Sequence, residues 1–97
     1  MKWHTDPAHG WLEVKTKQLI ELDIVDDISA YSYLSPTGLS AYLEEDSDAT
    51  VFINAFGRDK FNNLDVKNSY RERTPIRNYP DYQPEWVNQN RVALLAR

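Results

Sequence analysis

His4, Asp6 and His9, spaced as HxDxxH, put two imidazoles and a carboxylate within six positions of each other. Those groups can ligate zinc or iron, and three protein ligands would leave a coordination position open for chemistry. The same set could form a His–Asp acid/base pair. They are the only two histidines in the chain, so any histidine-dependent reaction has to run here. A quieter assignment is stronger. Asp6 sits beside Pro7 in a turn, where a carboxylate accepts backbone amides, and the two imidazoles could face each other across a hairpin. The spacing matches no helical motif such as HExxH, and no GxGxxG, Walker, GxSxG or paired zinc sequence occurs. Picking a glycosidase-type pair from fifteen acids carries no information. The chain is therefore not expected to be an enzyme or to need a cofactor. A metal-binding or hydrolytic protein using His4, Asp6 and His9 is kept as an alternative.

The second constellation is AYLEEDSDATVF, residues 41–52, with Glu44, Glu45, Asp46 and Asp48 clustered ahead of an apolar run. Carboxylates at a helix start are favoured by the aligned backbone dipoles, which accounts for Asp46, Ser47 and Asp48 as cap and first-turn residues. Glu44 and Glu45 sit instead at a strand end, where neighbours point to opposite sides and two acids add repulsion. Together with Asp23, Asp26 and Asp27 they could form a row of negative charge spaced like phosphates. Such a row would draw in a basic groove built for nucleic acid and block it.

The charge is divided along the chain. Residues 1–59 hold eleven acids against four lysines and arginines, a balance of −7, while residues 60–97 balance to +3 within a net −4. An acidic body repels a phosphate backbone, so direct nucleic-acid binding through it is not expected. YRERTPIRNYPDY supplies Arg71, Arg73 and Arg77 among Tyr70, Tyr79 and Tyr82. Its arginines either pin this segment to the acidic body or meet a partner, as interface anchors or by stacking on bases. Tyr31, Tyr33, Arg73 and Arg77 are taken as secondary partner contacts, and a DNA-associated regulator reading through these arginines is a second alternative.

Ninety-seven residues allow a single compact domain, 1–97, with no cysteine and hence no disulfide. No stretch reaches the roughly 18 apolar residues of a spanning helix, and Met1–Gly10 has no secretion-signal core. A soluble protein of a bacterial cytoplasm is expected, monomeric or homodimeric. The periodicities predict an α+β fold, a mainly antiparallel sheet with two packed helices. Lys2–His4 and His9–Val14 should pair around the Asp6–Gly10 turn, with Leu12 and Val14 on one side and Trp11 and Glu13 on the other. Thr16 should cap a short helix, KQLIELD. AYSYL and LSAYL should form a hairpin around SPTG. Ala49, Phe52, Ile53 and Phe56 recur at helical spacing, ending at Gly57. Residues 61–70 read as a strand with Leu64 and Val66 on one face. Residues 75–97 read as an irregular segment closing in a short helix, VNQNRVALLA, docked through Val92, Leu94 and Leu95.

WHTDPAHGWLEV, ISAYSY, YLEEDSDA and TPIRNY together resemble a family of small, mostly unassigned accessory proteins of phages and conjugative plasmids, marked by a WHTDxxHGW opening. The resemblance covers residues 3–79. It implies that Trp3, His4, Asp6, His9, Gly10 and Trp11 fill the opening pattern, Tyr31 and Tyr33 the tyrosine strand, and Leu43 to Asp46 the acidic block. Ser35–Leu39 and the extension 83–97 depart from it. Length, acidity and this setting are also similar, at class level, to the anti-CRISPR proteins. That similarity implies a phage-encoded inhibitor of host defence, blocking target-DNA binding by a type I surveillance complex through an acidic, DNA-mimicking surface.

Overall fold

The opening hairpin follows directly from its turn. Pro7 cannot donate to a ladder, and Asp6 N–H donates to the His9 carbonyl at 2.9 Å, closing the loop between β1 (Lys2–Thr5) and β2 (Gly10–Lys15). The computed structural model describes all of residues 1–97. Lys2 pairs with Glu13, Trp3 with Leu12, His4 with Trp11 and Thr5 with Gly10. Strand alternation then sends Leu12 and Val14 to one face and Trp11 and Glu13 to the other.

Immediately after β2 comes α1 (Thr16–Glu21). Thr16 is its first helical residue rather than its cap. The Thr16 hydroxyl is buried and donates to the Gly38 carbonyl at 2.7 Å, while the Gln18 side chain accepts from Lys15 N–H at 2.9 Å. The SPTG turn joins β3 (Tyr33–Leu34) to β4 (Ser40–Glu44), as the proline and glycine positions require, with Gly38 at φ +77°. β3 is shorter than the AYSYL pattern suggested, because Ser32 turns inward to serve a carboxylate described below.

α2 (Asp48–Phe56) carries the expected stripe and ends at Gly57, whose φ of +109° only a glycine adopts without strain. The chain then restarts as α3 (Arg58–Asn62), with Phe61 N–H donating to the Gly57 carbonyl at 2.8 Å. The predicted strand 61–70 is corrected accordingly. Phe61 belongs to a helix and is buried in the core, Leu64 is exposed, and only Lys67–Tyr70 forms a strand, β5. A 3-10 turn over Pro75–Asn78 precedes α4 (Pro84–Gln89) and α5 (Arg91–Leu95). Five helices replace the two expected, and of the terminal apolar residues only Leu94 docks; Val92 is 87% exposed and Leu95 47%.

The result is an α+β fold around a five-stranded sheet in the order β3-β4-β2-β1-β5, antiparallel except for β1 and β5. One face, through Leu12, Val14, Leu34, Ala41 and Leu43, packs against Leu19, Phe52, Phe61, Val87 and Leu94 from the helices. The opposite face carries a smaller cluster of Trp11, Tyr42 and Ile76, flanked by Tyr33 and Tyr79 and covered by the 3-10 turn. No helix is long and apolar enough to cross a membrane.

Candidate functional site

The histidine constellation comes apart in three directions. His4 Nε2 lies 2.7 Å from Glu13 Oε1, and its ring meets Tyr42 edge-on at 5.5 Å. Across the hairpin it faces Trp11, not His9. His9 is exposed, with its ring 5.9 Å from that of Trp11. Asp6 turns inward. Its Oδ1 accepts Ala8 N–H at 2.9 Å and His9 N–H at 2.8 Å, and Arg77 grips both oxygens, Nε to Oδ2 at 2.7 Å and Nη2 to Oδ1 at 3.1 Å. No group of three or more His, Asp or Glu side chains is arranged to hold a metal. The metal alternative is thereby corrected: both Asp6 oxygens are committed to the Arg77 guanidinium, and the two imidazoles have different partners, Glu13 for His4 and Trp11 for His9. The Arg77 guanidinium holds the Asp6 carboxyl well below the usual carboxylate range against the opposing effect of burial, aided by the two amides. Arg77 is raised by the same pairing. Tyr42 is pushed up to about 12, first by burial and then by the charge of Glu13 and by Tyr79.

Asp48 leaves the predicted acidic surface. It is buried, and its Oδ2 accepts Ser29 N–H at 3.1 Å, the Ser29 hydroxyl at 2.7 Å and the Ser32 hydroxyl at 2.5 Å. Ser32 Oγ in turn accepts Glu44 N–H at 2.9 Å. This clamp of Asp48, Ser29 and Ser32 is structural. It ties the segment after the 3-10 turn Val25–Asp27 to the start of α2 and the end of β4. No feature of the sequence signalled it, since the serines lie 16 and 19 positions from their acceptor.

The other predicted acids reach the surface on either side of that clamp. Asp23, Asp26, Asp27, Glu45 and Asp46 are exposed and Glu44 is half-buried. Asp26 accepts the Asn88 amide at 3.1 Å, and Glu44 Oε2 takes Asp46 N–H and the Ser47 hydroxyl, each at 3.1 Å. Burial raises the Tyr82 hydroxyl, with Asp26, Asp48 and Asp27 adding to it and Arg91 opposing them. The ion pairs of the chain are Lys67–Asp65 and Arg77–Asp6, beside the His4–Glu13 hydrogen bond, and none includes Asp23, Asp26, Asp27, Glu44, Glu45 or Asp46. No arginine of the last third pairs directly with them; Arg91 stands one side chain away from Asp26, through Asn88.

Glu44 and Glu45 diverge. Glu44 stands opposite Trp11 in the β2–β4 register, while a side-chain carbon placed on Gly10 would strike the carboxylate of Glu45. On the Glu44 side, a cleft of about 460 Å³ opens between sheet and turn. Trp11, Tyr31 and Tyr33 supply its aromatic lining, and Glu44, Asp46 and Arg77 its charges. Tyr31 is 79% exposed, Trp11 is buried beneath, and the Arg77 guanidinium lies 5.6 Å from the Trp11 ring centre. Residues singled out separately as acidic contacts (Glu44, Asp46) and secondary contacts (Tyr31, Tyr33, Arg77) thus meet in one place. Arg73 does not join them; it borders a second cleft beside Asp6 and Thr74. Trp11, expected only as a strand residue, and His9, expected only in the HxDxxH set, also line the cleft; their place there depends on the β2–β4 register, which spacing does not give. No protein-family model, curated protein or solved structure matches the chain.

Proposed function

We propose that the protein is a non-catalytic binder that covers a basic, nucleic-acid-binding surface of another macromolecule, with the acids around the serine clamp as its contact. The observation that carries this reading is the set of exposed carboxylates, Asp23, Asp26, Asp27, Glu45 and Asp46, left without a cationic partner. Leaving like charges uncompensated costs stability through self-repulsion and is recovered when an opposite surface docks. A rigid anchorage supports it further, because the Asp48 hydrogen bonds fix the chain between the two acidic segments.

The specific form of the proposal is an anti-CRISPR protein of phage origin that keeps target DNA off a type I surveillance complex in the bacterial cytoplasm. The test is a DNA-binding competition with a purified type I complex. Wild-type protein should suppress DNA binding, and the Asp26→Asn/Asp27→Asn/Glu45→Gln triple variant should do so at least about tenfold less well, as expected from losing about 1.4 kcal/mol of steering and contact energy. Unimpeded DNA binding at saturating wild-type protein removes the type I assignment. Equal potency of the triple variant removes the acidic contact.

A further inference from the structure

The cleft between Trp11, Tyr31 and Tyr33 has a character that the surrounding acids lack. Its volume, about 460 Å³, lies within the ~300–1,000 Å³ usual for small ligands and single anchoring groups. Its lining combines aromatic rings with two carboxylates. Asp46 has no hydrogen-bond or ionic partner for its side chain, and Glu44 uses only Oε2, leaving Oε1 open. The cation in the lining, Arg77, is already forked onto Asp6. The remaining charge in the cleft is the pair of carboxylates, so its complement is positive.

We propose that this cleft takes the arginine side chain of a basic partner protein, stacked against Tyr31 and Tyr33 with its fork on Glu44 and Asp46. The assignment rests on the reading that the acidic surface meets a basic one, and adds to it a defined anchoring point. Arginine fits better than lysine for two reasons. A planar guanidinium stacks on aromatic faces and engages carboxylates with two parallel donors, whereas an ammonium is a strongly hydrated point charge. The chain also holds one guanidinium in this manner already, since Arg77 sits between the Asp6 carboxylate and the Trp11 ring. Tyr31, at 79% exposure, is the ring with the most surface to offer, and an aromatic beside an arginine at the centre of a contact is a typical concentration of binding energy.

The experiment is an NMR titration of the isotope-labelled full chain with short, blocked Gly/Ser peptides carrying arginine, lysine or citrulline at the same positions. The arginine peptide should shift the Trp11 indole N–H and the amides of Tyr31, Tyr33 and Glu44–Ser47. It should bind about threefold or more tightly than the lysine peptide, the range expected when a cation gains a ring, and the citrulline peptide should leave those signals in place. Tyr31→Ala, at an exposed position that does not threaten the fold, should remove the arginine preference. Equal affinity for arginine and lysine, or shifts spread evenly over Asp23, Asp26 and Asp27, would overturn the anchor while leaving the acidic contact standing. Conversely, an intact arginine preference alongside failure of the wild-type protein to impede DNA binding would retain the anchor and reject the type I target.

Discussion

Asp6 and Asp48 are both aspartates that turn inward, and in each the carboxylate ties together segments distant in the chain. Asp6 joins the first hairpin to Arg77, 71 residues away, and so seats the 3-10 turn on the aromatic face of the sheet. Its shift gives the link a pH signature. A carboxyl whose folded-state proton affinity is depressed contributes stability above its unfolded pKa of about 4, and that contribution is lost as pH falls towards the folded value. Asp6→Asn should therefore melt below wild type at neutral pH, and the gap should narrow as the solution is taken from about pH 5 towards about pH 2. Melting curves across that range decide the matter, and a gap independent of pH would show that Arg77 does not act through charge. The histidines illustrate the same point from the other side. HxDxxH looks like a ligand set only while its members are free, and here Asp6 is committed to Arg77 and His4 to Glu13.

Elements were legible where one local rule decided them. The first hairpin, the SPTG turn and the helix ending at Gly57 follow from proline, glycine and apolar spacing, and all stand where the sequence put them. Elements were illegible where a distant partner decided. The expected strand AYSYL loses its first half because Ser29 and Ser32 serve Asp48, and Phe61 joins α3 rather than a strand because the chain restarts its helix beyond Gly57. The candidate site shows the same division. Its acids and tyrosines could be named from residue type, but which of them meet depends on β2–β4 register, and Asp48 could not be told from its exposed neighbours. That clamp yields a prediction at this scale. Asp48→Ala removes the acceptor of three donors and leaves the Ser29 and Ser32 groups short of partners, which should cost about 2–4 kcal/mol. Because Ser32 also holds Glu44 N–H, amide exchange should accelerate at Ser29, Ser32 and Glu44 beyond the rest of the sheet. Uniform loss of protection, or a cost under about 0.5 kcal/mol, would mean the clamp does not hold these elements together.

At the scale of the whole molecule, the accessible surface of 5929 Å² is close to the ~5,700 Å² expected of a folded 11.3 kDa monomer, so the fold buries a normal share of its chain. The charge arrangement is what departs from a neutral optimum. Residues 1–59 carry −7 against +3 for the rest, and the exposed acids Asp23, Asp26, Asp27, Glu45 and Asp46 have no ionic partner. Self-repulsion among them should be felt most when screening is weak. Raising salt from about 0.01 M, where the Debye length is ~30 Å, to about 0.1 M, where it is ~10 Å, should raise the melting temperature. Surface ion pairs would respond the other way, but the one fully surface pair, Lys67–Asp65, is worth at most about 1 kcal/mol. The Asp26→Asn/Asp27→Asn/Glu45→Gln variant that should lose inhibitory power should also melt higher than wild type at low salt, with a flatter salt response. Calorimetry on the two proteins across that range joins the stability and binding measurements. If the variant melts lower, these carboxylates help to hold the fold together, and any loss of inhibition in the same protein has to be assigned to structural damage instead of a missing contact.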